Sequence, residues 1–326
     1  MSATQLHGEP GPSVRDRNVL SIASTAFERE LLAGLNSQPR MVSPKWFYDE
    51  AGSMLFEQIT QVPEYYPTRT ELALLERHAP EMAAHMGAGV EIVEFGAGAT
   101  RKVRLLLSAL VTPRRVLPID ISGEHLEKAA ELLRMDYPGL AVLPVVTDFT
   151  RALELPPPAG RRVGFFPGSS IGNFEPAQAQ RLLRQMAGWL TGGGLLVGVD
   201  LVKDPARLHA AYNDAQGVTA AFNLNLLARA NRELGADFDV AQFAHSAFYN
   251  APRCRIEMHL VSRRRQTVRL CGQHIEFHEG DSMHTECSYK YTVDSFQRLA
   301  IASGWKPQAV WVDDARCFSM HWLQPG

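Results

Sequence analysis

Apolar residues recur at helical spacing from Ala23 to Leu35, with Phe27, Leu31, Leu32 and Leu35 on one face. Ahead of them, residues 1–20 mix Gly, Pro, Ser and charge without periodicity, which predicts a flexible tail. The stretch Trp46 to Tyr66 is dense in rings: Trp46, Phe47, Tyr48, Phe56, Tyr65 and Tyr66. Core packing accounts for most of them. Clustered tyrosines, each with an apolar body and a polar tip, also suit a small-molecule pocket. A further helix is predicted over Glu71 to Met86.

From there the pattern alternates between short apolar strands and amphipathic helices. Val90 to Phe95 runs into a glycine turn and the helix Lys102 to Leu110. Arg115 to Asp120 is a second strand, followed by a helix carrying Leu126, Ala130 and Leu133. Ala141 to Val146 is a third strand, and Arg162 to Phe166 a fourth that leads into Gly168–Asn173. Pro176 suits the first position of a helix whose face carries Leu182, Leu183, Met186 and Leu190. Gly192–Gly194 breaks the chain before the strand Leu195 to Val199. This alternation predicts an α/β fold with a doubly wound sheet.

After Asp200 the rhythm is lost. Pro205 to Leu234 reads as helix, and Ser246 to Val261 and Gln266 to Glu279 as antiparallel strands, with Arg263–Arg265 as a hairpin turn. Residues 201–290 therefore read as an inserted lobe, to which 21–69 would add. Residues 70–200 and 291–326 would make the main domain, closed by a helix at Thr292 to Ser303 and a strand at Gln308 to Asp313.

Composition narrows the function classes. Thirty-three basic and thirty-five acidic residues leave a formal charge of -2, which offers no footprint for nucleic acid or an anionic membrane. No apolar stretch approaches the ~18 residues that a membrane span needs, and the N-terminus lacks a basic-then-apolar signal pattern. The four cysteines form no C-x-x-C pair. A cytoplasmic protein that works as a monomer is expected.

In open α/β sheets, ligands bind at the carboxyl ends of the strands. Here the first such turn is Glu94-Phe-Gly-Ala-Gly-Ala-Thr100, where Gly96 and Gly98 let a ligand approach the backbone. Asp120 ends the next strand and suits the two ribose hydroxyls of an adenosine ligand. Asp148 and Phe149 follow the third strand, where an acid can meet an adenine amino group and a ring can cover its face. A dinucleotide fingerprint would require glycine at position 101, which is Arg101. S-adenosylmethionine has no pyrophosphate and needs no third glycine, so it is favoured over a nicotinamide cofactor. Trp189 to Leu195 also resembles the turn before the fifth strand of class I methyltransferases.

From about Ser43 onward the chain resembles the histidine-specific Nα-methyltransferases of ergothioneine biosynthesis. The matching stretches are Lys45–Asp49, Gln61–Arg69, Glu94–Gly98 with Lys102, Gly168–Asn173, Asp200–Lys203, Phe222–Asn225, Arg255–Met258 and Thr285–Ser288. The resemblance implies a class I S-adenosylmethionine-dependent methyltransferase fold, Rossmann-like, with a second α+β substrate lobe from the N-terminal segment and the insertion. It implies that Gly96, Gly98, Lys102, Asp120, Asp148 and Phe149 hold S-adenosylmethionine. Asn173 and Tyr212 would hold the carboxylate of L-histidine, with Gly168 and Ser170 beside its amine. Glu286 and Ser288 would bond the imidazole, Tyr65 would approach its other side, and Phe56 and Met258 would wall the pocket. Tyr48 would lie near the amine, directly or through water, as the catalytic residue. Ala97, Ala99 and Thr100 depart from the serines of many relatives, at the cofactor turn only. The implied product is hercynine, the trimethylated amino acid.

Blander readings exist for the same residues. Asp120 and Asp148 could cap the helices after them, and Asn173 and Tyr212 could be turn and surface residues. Met258 could be core filler, and Glu286 with Lys290 an exposed strand pair. His274, Glu276 and His278 share one face of a strand near Cys271, yet a period-two polar face is what a solvated strand shows, so no metal is expected. Methylation of another amino acid's amine, and an adenosine-binding module without chemistry, are the alternatives to histidine Nα-methylation.

Overall fold

A computed structural model describes residues 26–98 and 100–326. The tail over residues 1–20, the start of the first helix and Ala99 lie outside the described residues. Helix α1 covers 26–35, and strand β1 is Arg40–Met41. Helices α2 (Glu50–Ile59) and α3 (Tyr66–Met86) follow. Helix α3 starts five residues before its expected beginning at Glu71, because Pro67 is already at its first turn, where a missing N–H costs nothing.

The alternating region folds as predicted, as β2 (Val90–Phe95), α4 (Arg101–Ala109), β3 (Arg115–Asp120) and α5 (Gly123–Asp136). The expected third strand is two short pieces, β4 (Ala141–Val142) and β5 (Val145–Val146), both parallel to β3. Leu143 still donates to Val116, but Pro144 has no N–H and interrupts the ladder. Next come β6 (Arg161–Phe166), α6 (Pro176–Trp189) and β7 (Gly194–Asp200).

The single helix expected over Pro205 to Leu234 is two, α7 (Pro205–Tyr212) and α8 (Val218–Leu234). Asp214 accepts the N–H groups of Val218 and Thr219 and so starts α8 afresh. Strands β8 (Phe243–Asn250) and β9 (Arg255–Ser262) are antiparallel. Strands β10 (Gln266–Leu270) and β11 (Gln273–Phe277) pair only with each other. Arg263–Arg265 therefore link two sheets and are not the hairpin turn expected of them. Strand β12 (Ser282–Tyr289), helix α9 (Val293–Ala302) and strand β13 (Trp305–Val312) precede a last strand, β14 (Phe318–Pro325), that the sequence reading missed.

Eight strands form the main sheet in the order β13-β14-β7-β6-β2-β3-β4, with β5 also on β3. From β7 to β4 the pairs are parallel, while β14 runs antiparallel between β7 and β13. Strands β2 and β7 are buried along their whole length, the expected state of a parallel sheet covered on both faces. The chain leaves β2 toward β3 and later returns to β6 on its other side. That reversal opens a crevice at the carboxyl ends of β2 and β6. A second sheet, β1-β12-β9-β8, shares one apolar core with α1, α2, α7 and α8, built on Phe27, Phe47, Phe222, Leu227, Phe243 and Ile256. This second sheet faces the crevice through β9 and β12.

Candidate active site

The crevice is a cavity of about 890 Å³. Gly96, Gly98, Lys102, Asp120, Asp148 and Phe149 line it on the main-sheet side. Tyr48, Phe56, Tyr65, Gly168, Ser170, Asn173, Tyr212, Met258, Glu286 and Ser288 line the same cavity. Residues predicted from stretches as far apart as 48 and 288 are thus brought together.

The main-sheet wall is built at strand ends. Gly96 has φ +77°, and a Cβ built there meets nothing within 4 Å, so the turn leaves an open cradle beside the backbone. Asp120 caps its own turn, taking the Ser122 N–H at 2.9 Å, and burial raises its carboxyl above the ordinary range. Asp148 takes the N–H and hydroxyl of Thr150 at 3.0 and 2.5 Å and Lys45 Nζ at 3.0 Å. Burial opposes the charge on Asp148, but Thr150 and Lys45 overcome it and hold the carboxyl below its usual range. Neither acid caps a helix, as the blander reading had it: Ser122 is the N-cap of α5, no helix follows Asp148 directly, and each carboxylate closes a local turn while lining the cavity. Phe149 packs edge-on against Phe95 and Phe166.

Across the cavity stands an aromatic wall. Tyr48 and Phe56 have ring centroids 5.7 Å apart, Phe56 and Tyr65 6.3 Å, and Tyr65 and Tyr212 6.4 Å. Burial pushes the phenols of Tyr48, Tyr65 and Tyr212 well above their ordinary range, and Glu286 adds to it. All three stay protonated donors at neutral pH. Tyr212 is buried and donates to Ser288 Oγ at 2.8 Å, so it is no surface residue. Asn173 and Ser170 sit on a tight turn after β6, over Ser170–Asn173. Met258 lies directly opposite Glu286 in the β9–β12 pair, so one register places both on the cavity wall. Burial pushes the Glu286 carboxyl up to about 7, against the pull of Lys290. Lys290 itself is 3% exposed, which removes the reading of Glu286 and Lys290 as an exposed pair.

Several residues in and behind these walls escaped the sequence reading. Glu71 is fully buried, pairs with Lys102 at 2.6 Å and accepts the Gly168 N–H. Glu94 is buried with Oε2 unpartnered, and burial raises its carboxyl to about 8. Phe222 packs against Tyr48 and Phe56. Asp200 is held by Lys203, Lys290 and the Tyr66 hydroxyl. Charges buried by partners far along the chain leave no local pattern to find. Lys45, Glu94, Asp200 and Phe222 fall within matched stretches, which is the one signal that pointed to them.

Cys271, His274, Glu276 and His278 are all exposed and do not converge. Among the described residues, Glu257, His259 and His284 do come within 4.8 Å of one another. There Arg255 and Asn250 already hold the Glu257 carboxylate at 2.8 Å, and the two imidazoles stack.

Residues 27–325 match a family model described as histidine-specific methyltransferase, SAM-dependent. The chain belongs to this family. It is 43% identical over 304 residues to a histidine N-alpha-methyltransferase of Mycolicibacterium smegmatis, covering 91% of this chain and 94% of that one. It is 42% identical over 301 residues to the protein of the same name in Mycobacterium tuberculosis, with 90% and 94% covered. An ergothioneine biosynthesis protein 1 of Neurospora crassa is 31% identical over 323 residues, which are 90% of this chain and 35% of that longer one. The family and the mostly parallel α/β sheet agree with the expected class I fold, and S-adenosylmethionine is the methyl donor of this histidine methyltransferase. The open glycine cradle and the half-buried acids at strand ends fit that donor. No helix among the described residues is long and apolar enough to cross a membrane.

Proposed function

We propose that the enzyme transfers methyl groups in three successive steps to the α-amino nitrogen of L-histidine, giving hercynine for ergothioneine biosynthesis. The observation that carries the reading is the single cavity, in which a strand-end wall suited to adenosine faces a wall suited to an aromatic amino acid. Gly96 and Gly98 lie against the donor, Asp120 takes its ribose hydroxyls, Asp148 its adenine amino group, and Phe149 covers the base. Lys102, restrained by Glu71, meets the donor's carboxylate. When bound, S-adenosylmethionine supplies an electrophilic methyl on a sulfonium.

Opposite, Asn173 and Tyr212 hold the histidine carboxylate, and Gly168 and Ser170 flank the amine. Glu286 accepts the ring N–H and Ser288 reinforces that contact, while Tyr65, Phe56 and Met258 enclose the ring. Methyl transfer needs a neutral amine lone pair aligned with the methyl, and alignment supplies most of the catalysis. Tyr48 orients that amine or passes its proton to water. Its raised phenol makes it a donor and an orienting group, not a strong base. The aromatic wall accommodates the cationic product. The four cysteines are free, which suits a reducing compartment, and we place the enzyme in the cytoplasm as a monomer.

Incubation with S-adenosylmethionine and a panel of amino acids, read by mass spectrometry, tests the reading. Histidine is expected to gain methyl groups stepwise, all located on the α-nitrogen by fragmentation. A methyl on the ring, or equal turnover of another amino acid, overturns it.

A further inference from the structure

Lys290 is placed by the chain in the residue after β12, and its side chain is 1% exposed. Its Nζ lies 2.7 Å from Asp200 Oδ2, 2.8 Å from Ser288 Oγ and 3.1 Å from the Tyr212 hydroxyl. An ammonium has three N–H donors and no acceptor, so these contacts use all of them. Asp200 is in turn fixed by Tyr66 at 2.8 Å and Lys203 at 2.5 Å, and its own N–H donates to Ser169 Oγ. The cation therefore has one buried anchor and two hydroxyls to direct.

The direction follows from counting hydrogens. Lys290 occupies a lone pair on each hydroxyl, and the two oxygens are 2.8 Å apart. One hydroxyl hydrogen fills the bond between them. When Ser288 donates to the Tyr212 oxygen, the remaining hydrogen is the Tyr212 hydroxyl's, left to face the cavity, and Ser288 keeps a lone pair for the ring N–H. Charge points the same way: the Lys290 ammonium stands within hydrogen-bond distance of both hydroxyls, and its sign suits a ligand carboxylate.

We propose that Lys290 is a positioning residue for the substrate's α-carboxylate: anchored on Asp200, it makes the Tyr212–Ser288 pair a donor into the cavity and supplies the positive potential that an amino acid's carboxylate balances. This deepens the reading above and rests on it, since it takes histidine as the acceptor.

The test compares histidine with histamine, which keeps the amine and ring but has no carboxylate. The full-length enzyme carries Lys290→Met or Lys290→Gln, with folding checked by S-adenosylmethionine affinity. Histidine KM is expected to rise about tenfold or more, the scale of a contact to a charged group, while histamine binding and donor affinity hold. In a Tyr212→Phe background the further loss from Lys290→Met should be much smaller. Equal losses for histidine and histamine, or an unchanged histidine KM, overturn the proposal. If neither Lys290 variant folds, Tyr212→Phe alone decides: it must cost histidine and spare histamine, and equal effects overturn the proposal. An unsubstituted enzyme that does not methylate histidine, or does not prefer it to histamine, removes the underlying reading instead.

Discussion

Lys102 and Glu71 form an ion pair of 2.6 Å in which the carboxylate has no exposed surface. Both oxygens of Glu71 also lie 2.9 Å from the Gly168 nitrogen. One carboxylate on α3 thereby ties the first turn of α4 to the turn after β6. The arrangement needs Gly198 beneath it, where a Cβ would come within 2.3 Å of Glu71 Oε1.

Removing that carboxylate leaves Lys102 without its partner and the Gly168 N–H without an acceptor. Glu71→Ala is expected to destabilise the fold by ~3 kcal/mol, the scale for breaking a buried pair. Glu71→Gln keeps an acceptor for Gly168, so it should cost less stability while still weakening donor binding. Chemical denaturation measures the first effect and calorimetry the second. An unchanged denaturation midpoint for Glu71→Ala would show that the pair contributes nothing to the fold.

Asp120 combines two duties, since it caps the Ser122 N–H and lines the cavity. Asp120→Ala should weaken S-adenosylmethionine binding by ~1.5–3 kcal/mol, the range for hydrogen bonds to a charged group. Loss of the bond from the Ser122 N–H adds a separate stability cost of ~1 kcal/mol. Calorimetry on the folded variant separates the two. Unchanged donor affinity would leave Asp120 with the turn-closing role alone.

How far the sequence could be read depended on whether the controlling contacts were local. The parallel strands β2, β3, β6 and β7 are short, mainly apolar runs, and they ended within a residue of expectation. Strand β14 escaped because its buried middle carries Ser319 and His321, which lie in hydrogen-bond contact at 2.9 Å and break the apolar pattern. The split of α7 from α8 turned on Asp214 serving as a cap, which looks like any surface acid in a helical run. The cavity residues were legible because strand-end glycines and acids have a positional logic and because the family's stretches are specific. Glu94 and Asp200 lay in matched stretches without being singled out, and Glu71 and Lys290 were not legible at all, because their burial is set by partners that the fold brings near.

Glu94 makes pH dependence of stability a direct check on that burial. Its carboxyl is pushed from an ordinary value near 4.5 up to about 8. Between those values the folded protein holds a proton that the unfolded chain has lost. Stability from this group is therefore full below about 4.5 and is lost as pH rises through about 8. Glu94→Gln, which cannot ionise, should flatten the fall in melting temperature across that window. A fall of the same size in the variant would assign it to other groups.

Glu286 links the same physics to substrate choice. Burial raises its carboxyl to about 7, with Lys290 opposing. Below that pH the group is protonated and no longer a pure acceptor for a ring N–H; above it, the carboxylate accepts. Histidine kcat/KM should therefore rise with pH through about 7, separately from the rise due to the substrate's own amine. Glu286→Gln removes this limb and keeps the amine's. At pH values above the transition the variant is expected to lose ~10–100-fold in histidine kcat/KM, with a smaller loss below it. Discrimination against amino acids without a ring N–H should shrink as well, because a site built to bond a polar group rejects analogues that lack it. Stability moves the other way. A carboxyl with a raised folded-state value destabilises the protein once ionised, so the variant should melt higher than its parent in mildly alkaline buffer. Higher melting temperature together with lower histidine preference is the combined signature of a carboxylate kept for recognition. A constant ratio of parent to variant kcat/KM across neutral pH would show that Glu286 does not titrate there, and an unchanged histidine preference that it does not read the ring.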